Sequence, residues 1–254
     1  MIDLLAADLR RIMWRMMTHV IAIVSVVVIA AVGAVDFHHT TKHPFDLRTG
    51  LPNAIATFTG PVVLAAFIFG ASLLGADYTS RSLTTLLTWE PRRARLLLSR
   101  AVTCAAFSFC ASLVAIALLV LALLPSAFAH PTGHGTPYAS VVALATRSAL
   151  LSAAASAIGV SLAAIGRSTA AALIGALVYL VVIERLAVAL IPDVGRWLLL
   201  NDSLSWIAAS ANASDGPGGV GPGHTIATSG LLILVGVVGI HALATWMLRH
   251  RDIV

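Results

Sequence analysis

Apolar residues fill this chain in six long runs, and the polar residues gather in the gaps between them. A helix needs about 20 mostly apolar residues to cross a bilayer. The runs at 16–35, 53–76, 96–124, 139–165, 168–191 and 228–248 meet that length. The third is the longest and is expected to stop at Pro125, the fourth at Gly166 and the fifth at Pro192, because proline and glycine interrupt the helical ladder. Residues 1–15 follow a different rule. Ile2, Leu5, Leu9, Ile12, Met13 and Met16 recur at helical spacing, with Asp3, Arg10 and Arg11 off that stripe. This predicts an amphipathic helix on the inner membrane surface, ahead of the first span. The pattern as a whole predicts an all-α polytopic membrane protein, one domain over 1–254, with six transmembrane helices and an N-terminal interfacial helix.

Composition agrees. The chain is 59% hydrophobic and 11% charged, whereas soluble domains carry about 25% charged residues. The net charge of +5 does not point to nucleic acid, because the basic residues stand at loop ends, where they set topology and meet lipid headgroups. With the N-terminus inside, Arg10, Arg11, Arg15, Arg81, Arg92, Arg93, Arg95, Arg100, Arg167, Arg249 and Arg251 fall on the inner side. Lys42, Arg48, Arg147, Arg185 and Arg196 fall outside. This asymmetry predicts a plasma-membrane protein with both termini cytoplasmic. A signal peptide cleaved near 31–34 is the competing reading of the N-terminus, and the amphipathic order of residues 1–15 argues against it. Cys104 and Cys110 lie six residues apart in one apolar run, so they face different ways on a helix and read as small core residues.

The external connections differ in character. Residues 36–52 are polar and hold His38, His39 and His43; 125–137 lack Asp, Glu, Lys and Arg but hold His130 and His134. Closed zinc sites bring ligands in two pairs, no second pair accompanies the first, and no metal site is assigned. Residues 192–227 form an extracellular excursion. Its apolar first part, Trp197 to Ala209, reads as a short helix at the outer interface, and Gly216 to Gly223 as a flexible linker.

The stretch from Asp77 to Arg100 is a basic, polar island between the second and third spans. Placed on a helix, Ser80 to Glu90 puts Leu83, Leu86 and Leu87 on one face and Arg81, Thr84, Thr85 and Thr88 largely elsewhere. Pro91 closes it, and Arg92, Arg93 and Arg95 follow at the mouth of the third span. The residues alone allow two readings: a loop helix lying on the membrane with inward-facing arginines, or a helix that docks into a partner's groove.

Here the chain resembles the permease subunit of ABC-2 type ABC transporters. The carrying residues are Asp77, where the family usually has Glu, Tyr78, the Leu86–Leu87 pair, Pro91 followed by Arg92 and Arg93, and Arg100 opening the next span. Arg81 and Ser82 stand where the family has a Gly-Thr dipeptide. The resemblance extends to the layout of the whole chain. It implies an ABC-2 type transmembrane domain whose segment 77–91 is a cytoplasmic coupling helix seated in the ATP-binding subunit. Asp77, Tyr78, Arg81, Ser82, Leu83, Leu86, Leu87, Glu90, Arg92 and Arg93 would form the docking surface. It also implies two ATP-binding subunits, a second permease protomer (the same chain or a different one), and efflux of an amphiphilic or hydrophobic compound such as a drug, antibiotic or lipid. The chain has no Gly-Lys dipeptide and therefore no GxxxxGK[ST] phosphate loop. The chain itself is then expected to hold no cofactor and no catalytic residue, with ATP and magnesium on the partner.

Charges inside spans are costly and often functional. Arg147 and Glu184 fall at matching depths, about 12 and 10 Å below the outer surface on antiparallel spans, by 1.5 Å per residue. An ion pair between them, within or between protomers, acting as staple or gate, is one expectation. A second is that Arg147 and Arg185 snorkel to headgroups while Glu184 pairs locally with Arg185, and a third is direct contact with substrate. Ser152, Ala155, Ser156, Gly159 and Ala163, with Gly175 on the fifth span, mark faces for close helix packing. Ser108 and His241 read as satisfied core groups. Ser72 has no histidine at matching depth and no HExxH occurs, which disfavours an intramembrane enzyme. A non-catalytic membrane partner, such as an immunity or assembly subunit, is the remaining alternative.

Overall fold

The computed structural model describes residues 10, 12, 16–40, 47–80, 93–129, 138–191, 197–208 and 226–250. Its helices are α1 (Met16–Thr40), α2 (Leu47–Thr79), α3 (Arg93–Ala129), α4 (Tyr138–Gly166), α5 (Thr169–Val178), α6 (Glu184–Leu190), α7 (Leu199–Ala208) and α8 (Ile226–His250). A π-helical turn, Tyr179–Ile183, joins α5 to α6. Among the described residues, five helical stretches are long and apolar enough to cross a membrane: Gly50–Thr79, Ala94–Pro125, Tyr138–Gly166, Thr169–Leu190 and Ile226–His250. The first helix adds a shorter apolar stretch, Thr18–Ala31. The protein is an all-α, multi-pass membrane protein.

Several helices outrun the lengths expected from sequence. α2 begins before Pro52 and continues through Pro61, and α3 continues through Pro125 to Ala129. A proline removes one backbone donor. Ending a helix in an apolar setting strands several donors and acceptors, so the helix runs on. α1 likewise reaches Thr40, which puts His38 and His39 on a helix rather than on the connection. His43, His130 and His134 lie outside the described residues, as does most of the expected leading helix. Of that helix Arg10 and Ile12 are described. Both are helical, with Arg10 exposed and Ile12 fully buried.

α4 is the axis of the bundle. Of its apolar window 67% is buried inside the protein, against 6% for Thr169–Leu190 and 17% for α8. The sequence explains the difference. α4 offers small side chains along its length, and α2 meets it at two glycines. A Cβ on Gly70 would lie 2.1 Å from the Ser156 carbonyl oxygen, and one on Gly159 would lie 2.4 Å from the Phe67 carbonyl oxygen. The backbones therefore touch in the manner of small-residue membrane interfaces. Ser152, Ser156, Gly159 and Ala163 are buried in this contact region and Ala155 is half-buried. Gly175 has open space around it and takes no part.

Hydroxyl groups tie α4 to its neighbours. Ser148 Oγ and Thr59 Oγ1 of α2 lie 2.7 Å apart, and Ser152 Oγ and Ser112 Oγ of α3 lie 3.3 Å apart. Each group sits in apolar surroundings and has a partner, as burial of a hydroxyl requires.

Two apolar clusters mark the two ends of the bundle. One joins Ile12, Leu73, Leu74, Leu97, Val160, Ala172 and Leu248. The other joins Ile29, Leu51, Ile55, Leu123, Leu144, Ile207 and Ile233. The start of the chain, the end of α2, the start of α3, the α4–α5 turn and the end of α8 therefore share one end. That turn is tight. Arg167 adopts the left-handed φ of 54°, and Ser168 caps α5 by accepting from the Ala171 N–H at 3.1 Å.

Candidate functional site

The basic island leaves α2 at its last turn. Thr79 Oγ1 returns to the Ala76 carbonyl at 3.0 Å and the Ser80 N–H to the same carbonyl at 2.9 Å, which closes the helix end. Two residues earlier, Asp77 is fully buried. Arg100 reaches it from the second turn of α3, Nη1 donating to Asp77 Oδ2 at 2.6 Å, with both side chains 2% exposed or less. Two charges removed from water are costly unless they meet with good geometry, and this short, charge-assisted contact supplies it. The pair ties the end of α2 to the start of α3 at the base of the connection. Tyr78 packs half-buried on the adjacent apolar cluster.

Arg81, Ser82, Leu83, Leu86, Leu87, Glu90 and Arg92 lie outside the described residues, and with them the expected docking helix. Arg93 opens α3. The structure thus describes the two ends of the segment and joins them. The sequence reading singled out Asp77 and Arg100 separately and missed their pairing. The available signal was one acid and one base, each about a turn inside a span and facing each other across the same loop.

The end of the bundle that holds this pair is basic. Arg10, Arg167 and Arg249 are exposed there and Arg95 is half-buried. Thr169, just past the α4–α5 turn, sits on Gly75 of α2, where a Cβ would lie 2.1 Å from Thr169 Oγ1. The turn is therefore seated one step from Asp77.

Of the three intramembrane charges, Arg147 lies beside Trp206 of α7, its Cζ 6.0 Å from the ring centroid, and Trp206 Nε1 donates to the Arg147 carbonyl at 3.3 Å. Glu184 is buried at the start of α6, just past the π turn. Arg185 is exposed on the apolar flank, as snorkelling requires.

Ser161 and His241 form a pair that the sequence reading also missed, Oγ to Nδ1 at 3.1 Å across α4 and α8. These are the residue types of a nucleophile and its base. The Ser161 hydroxyl also lies 2.9 Å from the Ala157 carbonyl, and its contact with His241 ties α4 to α8. No family model matches the chain, and no curated protein matches it.

Proposed function

We propose that this chain is the permease subunit of an ATP-driven exporter of the ABC-2 type, moving an amphiphilic or hydrophobic compound outward across the plasma membrane. A separate ATP-binding subunit would grip segment 77–93, with Leu83, Leu86 and Leu87 toward its groove and Arg81, Arg92 and Arg93 around the rim. The observation that supports this most is the buried Asp77–Arg100 pair. A coupling element transmits only what its contacts distinguish between two states, and a segment anchored at one fixed point moves its two spans together.

In this reading a second protomer and two ATPase subunits complete the machine, with ATP and magnesium held on the ATPases. Closure of the ATPase pair displaces the docked segment. Through the Asp77–Arg100 base, α2 and α3 then shift against α4, which trades an inward-open for an outward-open passage.

The test is to purify the tagged chain from its native membranes in mild detergent. A soluble ATPase should accompany it, and Leu86→Arg with Leu87→Arg should release that ATPase while the permease stays monodisperse. A preparation with no nucleotide-hydrolysing companion, or a cysteine at position 85 labelled from the exterior of intact cells, overturns the reading.

A further inference from the structure

Two buried side-chain polar atoms lack a hydrogen-bond partner among the described residues, Arg147 Nη1 and Ser229 Oγ. They belong to different helices, α4 and α8, yet Trp206 borders both Arg147 and Gly230, the residue that follows Ser229. Trp206 lies beside the Arg147 guanidinium, and its ring packs so closely on Gly230, next to Ser229, that a Cβ there would lie 2.3 Å from Trp206 Cζ3. The buried Asp202, one turn before Trp206 on α7, already has an interaction of its own.

An unsatisfied hydroxyl and an unsatisfied guanidinium donor in an apolar setting are each expensive. Both atoms can donate, and one carries a positive charge, so what satisfies them together is an anionic acceptor. The place limits it further. Ser229 is in the first turn of α8, and Arg147 lies nine residues along α4 from Tyr138, about 13 Å at 1.5 Å per residue. An arginine stem spans several ångströms of that toward the headgroup region. The rest of the Arg147 side chain stays partly exposed, which leaves an approach from the membrane side. The exposed flank beside it is apolar, with Leu231, Leu234 and Val235 of α8 all exposed.

We infer that Arg147, Ser229 and Trp206 form a binding site for the phosphate-type anionic head of an amphiphile, its chain lying along the outer half of α8. Arg147 takes the charge, Ser229 donates a second hydrogen bond, and the indole fixes the plane of the guanidinium. The site lies at the opposite end of the bundle from the Asp77–Arg100 pair and stands whether or not an ATPase docks there.

The experiment is a native mass spectrometry titration of the intact chain in detergent with dioleoyl phosphatidylglycerol and, separately, dioleoyl phosphatidylcholine. The wild type should hold the anionic lipid about tenfold more tightly, the scale of one charge-assisted hydrogen bond. Arg147→Gln should abolish the preference, Arg147→Lys should keep part of it, and Ser229→Ala should lower it severalfold. Equal binding of the two lipids by the wild type overturns the site, the donors then being hydrated only. A preference untouched by Ser229→Ala and by Arg147→Gln overturns it as well, and Ser229→Ala decides alone if Arg147→Gln fails to fold. Dodecyl phosphate separates the sources. If it displaces the lipid, the site reads the head on any single-chain amphiphile, cargo included. If the lipid preference persists and dodecyl phosphate does not compete, the ligand is a membrane phospholipid.

Discussion

Asp77 and Arg100 are 23 residues apart in sequence and 2.6 Å apart in space, and neither sees solvent. Removing one member takes this contact from the other's buried charge, and breaking a buried pair costs about 3–5 kcal/mol. Asp77→Asn and Arg100→Gln should each lower thermal stability in detergent sharply. The double variant should lose clearly less than the sum, because both charges go together. A double-mutant cycle on the unfolding midpoint measures the coupling, and strict additivity would mean the contact carries no energy.

The α2–α4 contact makes an opposite pair of predictions for glycine. Gly70→Ala drives a methyl into the Ser156 backbone, and overpacking of this kind costs about 1–3 kcal/mol. Gly175→Ala meets nothing within 4 Å and should stabilise its helix by up to about 1 kcal/mol. Fluorescence-detected gel filtration after heating should separate the two in sign.

Arg167 holds a left-handed backbone at the α4–α5 turn. Asparagine tolerates that region and a β-branched residue does not. Arg167→Val should therefore be less stable than Arg167→Asn by about 1–2 kcal/mol, although both lose the same guanidinium. Matching melting curves for the two would show that the turn relaxes.

A Ser161 hydroxyl that donates to the Ala157 carbonyl, 2.9 Å away, should resist fluorophosphonate probes in native membranes. Ser161→Ala removes the contact with His241 Nδ1 and should cost about 1 kcal/mol of stability. Covalent labelling at Ser161 would reverse the direction of the hydrogen bond and revive a hydrolytic reading.

The apolar runs were legible because a bilayer fixes how long a helix must be, and the five helices long enough to cross were each visible in sequence to within a few residues. Their ends were less so. Pro52 and Pro125 signal a stop in water, yet both lie inside helices here. Pairings between helices were largely illegible. Gly159 was visible as a close-packing residue, but nothing along the chain names Phe67 and Ala71 as what it meets. Asp77 and Arg100 each carried a signal; their contact depends on how two helices lean together. The π turn at Tyr179–Ile183 leaves no mark in hydropathy, so the fifth span read as an unbroken α-helix.

One consequence follows from the hydroxyls of α4. Ser152, Ser156 and Ser161 each return a bond to a carbonyl about one turn back, at 2.9 Å in all three. A carbonyl shared this way holds its own ladder more loosely, and serines so placed let a helix bow. The most enclosed of the described spans is thus also one that can bow, a leaf spring gripped along its length. Force applied at one end can emerge at the other as curvature, without any joint or hinge between.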